Sequence, residues 1–169
     1  AADAQALKKR DNARTTKGGI VVKGVHDVAV RFSRCCSPVP GDEIVGFVTR
    51  GRGISIHRND CINVLNITEH DRLRLIDAEW QRFDYDNSSE KYNADIRIYA
   101  SNRTGLIVDI SKVLTERKID VKVMNCRTSK QGVATIDLSF EISGIQELRE
   151  LKDKLRNIDG VTDIERTTG

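Results

Sequence analysis

Aromatic residues make up only 5% of this 169-residue chain. Any core must therefore be built from Val, Ile and Leu rather than from stacked rings. No apolar run approaches the ~20 residues that a membrane-spanning helix needs, so no membrane partner is expected. The opening stretch, AADAQALKKRDNAR, has no apolar h-region and no initiator Met. It reads as part of a longer protein, not as a signal peptide. Four cysteines are too few at this length for a disulfide scaffold. With no secretion signal, the expected compartment is a reducing cytoplasm, where clustered cysteines point to metal or redox chemistry.

Charge is unevenly spread. The net charge is only +3, but residues 7–58 hold eleven Lys or Arg against four Asp or Glu, and residues 59–169 carry a small acidic excess. A basic first third suits a polyanion such as RNA, and it also suits an ordinary solvated surface.

Apolar periodicity divides the chain. Residues 1–18 read as the end of a helical linker, broken by TTKGG. Short alternating runs follow at 20–25, 27–33, 43–50 and 53–58, the last two joined through GRG as a hairpin. Residues 59–68 fit a short helix capped by Asn59 or Asp60. Residues 72–83 resume alternation, with Leu73, Leu75 and Ala78 or Trp80 as candidates for one face. The polar stretch DYDNSSEK reads as a linker, placed at 85–91. Beyond it the order becomes regular. A strand (92–101) precedes a helix (103–118) with its stripe at Leu106, Ile110, Val113 and Leu114. Two strands follow (120–129 and 133–143), then a helix (145–158) with its stripe at Leu148, Leu151, Leu155 and Ile158, and a last strand (161–168). The expected class is α+β: a β-rich cysteine module over 19–84, then a ferredoxin-like βαββαβ sandwich over 92–169. Each unit is near the lower size limit for a self-sufficient core.

Three clusters could carry function. Cys35, Cys36, His57 and Cys61 offer the sulfur and imidazole that zinc favours. Adjacent strand residues point to opposite faces, so Cys35 and Cys36 reach one ion only if the chain turns at SPVPG. Otherwise one of them packs and His26 could replace it. Packed thiols or a redox pair stay open as alternatives, although redox motifs usually separate the cysteines by two residues. Arg31, Arg34, Arg50, Arg52 and Arg58 surround these cysteines. Guanidinium forks there could pair with phosphates, reading structured RNA by shape because Phe32 and Phe47 are expected in the core. Asn102, Arg103, Thr104, Gly105 and Leu106 join the sandwich's first strand to its first helix. They form either a small-ligand loop at a helix start or an ordinary cap. Cys126 is expected to be a buried core thiol.

The stretch RCCSPVPGDEIVGFVTRGRGISIHRNDC resembles the conserved-cysteine, zinc-finger-like module of the long RelA/SpoT family of bifunctional (p)ppGpp synthetase/hydrolases. DIRIYASNRTGLIVDISKVLTERKIDV resembles the start of that family's ACT domain. The resemblance implies a zinc ion at Cys35, Cys36, His57 and Cys61, and arginines touching ribosomal RNA when uncharged tRNA is present. It also implies a branched-chain amino acid at residues 102–106 and a homodimer through the ACT domain. The family's histidine-aspartate hydrolase motif and synthetase nucleotide site are absent from the chain. It is therefore expected to have no catalytic residues of its own and to regulate catalytic domains elsewhere in its parent protein.

Overall fold

The structure is a computed structural model that describes residues 19–22, 28–81 and 90–167. The helical linker expected over 1–18, His26 and residues 82–89 of the linker region lie outside the described residues.

The cysteine module is a five-stranded sheet made of β1 (Ile20–Val22), β2 (Val30–Phe32), β3 (Ile44–Val48), β4 (Ile54–Arg58) and β5 (Leu75–Trp80) in the order β1-β5-β3-β4-β2. The β2–β4 pair is parallel and the others are antiparallel. One face carries Ile20, Val22, Ile44, Ile54, Ile56 and Ala78, with Val30, Phe32, Ile76 and Trp80 packed against them. The expected helix at 59–68 is two single turns, α1 (Ile62–Leu65) and α2 (Glu69–Arg72). The caps differ from expectation too. Cys61 caps α1, and Thr68 caps α2 by accepting a hydrogen bond from the Asp71 N–H. Leu73 is not on the strand face: it lies in the turn after α2 and is 89% exposed. The Arg74 N–H bonds the Asp71 carbonyl, which prolongs the helical turn and delays the strand to Leu75.

The second unit has the expected βαββαβ order. Strands β6 (Tyr92–Ser101), β7 (Asp120–Thr128), β8 (Val133–Ile142) and β9 (Val161–Arg166) pair antiparallel in the order β7-β8-β6-β9. Helices α3 (Leu106–Glu116) and α4 (Ile145–Arg156) bury Leu106, Ile110, Leu114, Leu148, Leu151 and Leu155. The stripes anticipated from the sequence are those that pack, with Val113 and Ile158 half-buried beside them. Cys126 corrects the reading above. It pairs with Ile136 across the ladder but stands on the edge strand β7 and is exposed. Alternation identified its strand but not the strand's place at the rim.

The two units share an interface. The buried loop Pro38–Pro40 plugs the end of the sandwich, and Val39, with no exposed surface, belongs to the sandwich's core. Pro40 accepts the Ile145 N–H at 2.8 Å. Gly41 sits at φ 100° against the Ile145 side chain, where a Cβ would collide. Asp42 pairs with Arg166 at 2.6 Å, both side chains about nine-tenths buried at 9% and 10% exposure. Arg166 also donates to the Ser37 carbonyl, and the Ser37 hydroxyl donates to Asp95. Phe32, Trp80 and Tyr92 form a three-ring cluster with centroids 5.5–5.8 Å apart, and the Trp80 indole N–H donates to the Asp42 carbonyl.

Candidate metal centre and arginine hairpin

The cysteine loop turns sharply at the residues that must converge. The Ser37 N–H bonds the Ser33 carbonyl at 3.0 Å, closing one helical turn around Arg34–Cys36. Ser37 itself adopts φ 44°, a conformation uncommon outside glycine. This turn overrides strand alternation and points Cys35 and Cys36 the same way. β4 returns to the loop's origin and supplies His57, and the turn after it supplies Cys61 as the N-cap of α1.

The four ligand atoms lie within 4.8 Å of one another. Cys35 Sγ is 4.0 Å from Cys36 Sγ, 3.6 Å from Cys61 Sγ and 3.4 Å from His57 Nδ1, and Cys36 Sγ is 3.8 Å from His57 Nδ1. Zinc bonds of about 2.3 Å to sulfur and 2.0–2.1 Å to nitrogen put tetrahedral ligand atoms roughly 3.6–3.8 Å apart. The donor set, with four of its six edges at 3.4–4.0 Å, is therefore compatible with a Cys₃His zinc site. Burial pushes the Cys36 thiol well above its ordinary value, raises Cys61 above its own and pushes His57 below its own. The neutral imidazole is ready to ligate, whereas a cation must displace protons from the thiols.

Arg58 belongs to this centre and not to the outer surface. It is 4% exposed. Its Nε and Nη2 make a two-pronged pair with Asp60 at 2.8 and 2.6 Å, and its Nη1 donates to the Cys36 carbonyl at 3.2 Å. Its backbone N–H points at Cys36 Sγ, 3.3 Å away. Buried and held by these three side-chain hydrogen bonds, Arg58 leaves the set of phosphate-facing candidates and becomes a brace for the cysteine loop. Strand periodicity placed it beside the other arginines, but nothing local announced that Asp60 would fold back onto it.

Arg31, Arg34, Arg50 and Arg52 are all exposed. Arg50 and Arg52 ride the β3–β4 turn, and Arg31 lies on β2 beside β4. Phe32 is in the packed set, as expected, but Phe47 is not. It is half-buried on the opposite face of β3, with the Arg74 guanidinium 5.3 Å from its ring centroid.

The loop before α3 is less open than its composition implied. Leu106 is 2% exposed and packs in the core, so its side chain cannot meet a ligand. Arg103 is engaged with the Asp159 carbonyl at 2.9 Å, the Thr104 carbonyl at 3.1 Å and the Asp109 carboxylate at 2.5 Å. Gly105 is the N-cap at φ 81°, and no side chain caps the helix. Asn102 and Thr104 are exposed.

Comparison with known proteins separates the two units in the same way. Residues 20–81 match the model of the RelA/SpoT RIS domain, and residues 88–166 match that of the ACT domain. The fold and the cysteine centre thus define a pair of regulatory domains. The chain is 38% identical to the GTP pyrophosphokinase of Escherichia coli K12, an alignment that covers 99% of this chain and 23% of that protein. It is also 38% identical to the GTP pyrophosphokinase of Streptomyces coelicolor, covering 95% of this chain and 18% of that protein. The crystal structure of the ACT domain from the GTP pyrophosphokinase of Chlorobium tepidum aligns with 46% of this chain and 99% of that chain, at 27% identity and a TM-score of 0.42. The chain belongs to the RelA/SpoT family and corresponds to its regulatory C-terminal part, spanning about a fifth of the length of these curated relatives.

Proposed function

We propose that this region is the non-catalytic sensing part of a cytoplasmic stringent-response GTP pyrophosphokinase. In this reading zinc, held by Cys35, Cys36, His57 and Cys61, fixes the base of the arginine hairpin. Arg31, Arg34, Arg50 and Arg52 then meet ribosomal RNA when uncharged tRNA occupies the ribosome, and the contact is relayed to catalytic domains elsewhere in the parent chain. The observation that carries the reading is the closure of four soft ligands at the base of a hairpin whose arginines stay exposed. Guanidinium contacts to phosphate release counterions, so binding must weaken as salt rises. The test is sedimentation of the purified chain with ribosomes across a salt series. Arg50→Ala with Arg52→Ala should weaken binding and lower the logarithmic salt slope by about one to two. Binding that ignores both salt and these substitutions refutes the proposal.

A second reading gives the working role to the ACT unit, as a dimer gated by a branched-chain amino acid at residues 102–106. The uncapped start of α3 at Gly105 favours it, because backbone N–H groups there attract a carboxylate. Pairing of two copies would use an exposed surface such as the β7 edge, where Val123 is 45% exposed. Calorimetry with valine, leucine and isoleucine, followed by sedimentation velocity with and without the amino acid, tests it. No heat and no mass change would remove this reading and leave the first intact.

A further inference from the structure

The α1–α2 segment crosses the outer face of the cysteine module's sheet and leaves a cleft of about 350 Å³, within the size range of small-ligand sites. Phe47, Val64 and Ile67 give it apolar surface, and Asn63, Asn66 and Asp71 give it polar edges. His57 lines its side toward the thiol cluster.

Strand register explains why Phe47 is there. It pairs with Ser55 on β4 and Leu75 on β5. Its neighbours Gly46 and Val48 take the opposite face, where Gly46 pairs with the core residues Ile56 and Ile76. Arg31 pairs with Ser55 from the other side, and its Nε donates to the Ser55 hydroxyl at 3.4 Å. A cross-strand row therefore runs Arg31–Ser55–Phe47–Leu75. Arg74 lies over the ring, and the turn with Arg50 and Arg52 begins three residues beyond Phe47.

Different ligands match different parts of this arrangement. A purely apolar group would leave the two amides desolvated and unmatched, and would bury the Asp71 carboxylate with only the Thr68 hydroxyl at 3.3 Å and the Arg74 guanidinium at 3.9 Å beside it. A free phosphate would face Asp71. A flat ring joined to a phosphate chain matches every part. Its face stacks on the Phe47 ring or a guanidinium, its edge bonds the amides and Asp71, and its flanking phosphates meet the arginines. We propose that this cleft holds one unpaired nucleobase of the bound RNA, with Arg31, Arg50 and Arg52 on the adjoining phosphates. A carboxylate such as that of Asp71 only accepts hydrogen bonds, so a base whose exocyclic amine offers two N–H groups fits better than uracil, which offers one. The proposal rests on the RNA-contact reading and changes it, because recognition then includes a base and not only shape and phosphate.

The test titrates the full 169-residue chain with two fluorescein-labelled RNA hairpins, identical except that one carries a single bulged adenosine. The bulged hairpin should bind about tenfold tighter, the scale of one base stacked on an aromatic ring. A bulged uridine should recover only part of that gain. Phe47→Ala should erase the preference and Phe47→Tyr should keep it. Asn63→Ala, a change at an exposed side chain, should shrink the preference without altering the unfolding transition, which guards against misfolding of the Phe47 variant. Arg50→Ala with Arg52→Ala should weaken both hairpins alike. Equal affinity for the two hairpins, with arginine dependence retained, overturns the base cleft and spares RNA binding. A preference that survives both Phe47→Ala and Asn63→Ala also overturns it. No binding to either hairpin overturns both readings.

Discussion

Val39→Ala is a substitution in the cysteine module whose damage should appear in the ACT sandwich. Val39 is held between two prolines, has no exposed surface and packs with the sandwich core. The change removes two methyl groups from a dry site. At about 0.8 kcal/mol each, plus the term for a cavity that a proline-bounded loop cannot close, the loss should be about 2–3 kcal/mol. Hydrogen exchange reads it residue by residue. Amides of Ile136 on β8 and Leu151 on α4 should lose roughly 30- to 150-fold of protection if they open with the sandwich as a whole. Val48→Ala, in the same module at a side chain 37% exposed, is the control and should leave both amides unchanged. Fluorescence of Trp80, the only tryptophan, reports the interface independently because its indole N–H bonds Asp42 in the same loop. Suppose Trp80 shifted its transition while Ile136 and Leu151 kept full protection. Val39 would then stabilise the cysteine module alone, and the plug would carry no coupling.

Other expectations follow from the same loop. Zinc affinity, measured by chelator competition, should rise steeply between pH 6 and 8, because burial keeps the Cys36 and Cys61 thiols protonated until the ion displaces their protons; Cys36→Ser should abolish tight binding, and a flat pH profile would contradict a thiolate site. The metal-free chain should behave oppositely. Its folded-state thiols titrate above their ordinary value of 9.0, so their contribution is complete below about pH 9 and is lost as pH rises further. Asp60 works at the acid end. Its hydrogen bonds from Arg58 hold its carboxyl below the ordinary 3.8, so its contribution is present above that value and fades as pH falls through the folded-state pKa; in acid titrations followed by circular dichroism, Asp60→Asn should flatten the loss. Gly41→Ala should open the interface, since φ 100° and the Ile145 side chain both oppose a Cβ there; the readout is faster limited proteolysis after the cysteine module, and an unchanged rate would show that the contact is dispensable.

The sandwich was legible because its signals are local. Two amphipathic helices with Leu and Ile stripes alternate with four strands in an order that only a few topologies satisfy. The cysteine module was harder. Its strands are three to six residues long, too short for alternation to show which face is buried. Phe47 and Phe32 look alike in sequence, and only the register against Ser55 and Leu75 shows that Phe47 points away from the core. Cys126 failed for a related reason: edge and central strands share the same alternation, and exposure depends on how far α3 and α4 reach. Arg58 and Arg166 were invisible as buried braces because their acids, Asp60 and Asp42, matter only after the chain folds back. The thiol–imidazole cluster was half legible. Residue types announced its members, but convergence of Cys35 and Cys36 depends on the turn at Ser37, which no periodicity encodes.

That turn also explains why two small units coexist in one chain. The segment from Cys35 to Asp42 is eight residues long and makes commitments at both ends. Its first two residues face His57 and Cys61, and its last four place Val39, Pro40, Gly41 and Asp42 against the sandwich. Neither end can move far without the other, because Pro38 and Pro40 remove most of the freedom between them. Anything that orders the thiol end lowers the entropy cost of docking the loop on the sandwich, and docking repays the thiol end by an equal free energy. The buried Asp42–Arg166 pair makes the contact selective: removing either partner would leave the other charge about nine-tenths buried without its counter-charge, at a cost of about 3–5 kcal/mol. Small cores that would each be marginal alone thus share one loop, and a change at the thiol cluster should register through it as altered hydrogen exchange in the ACT fold.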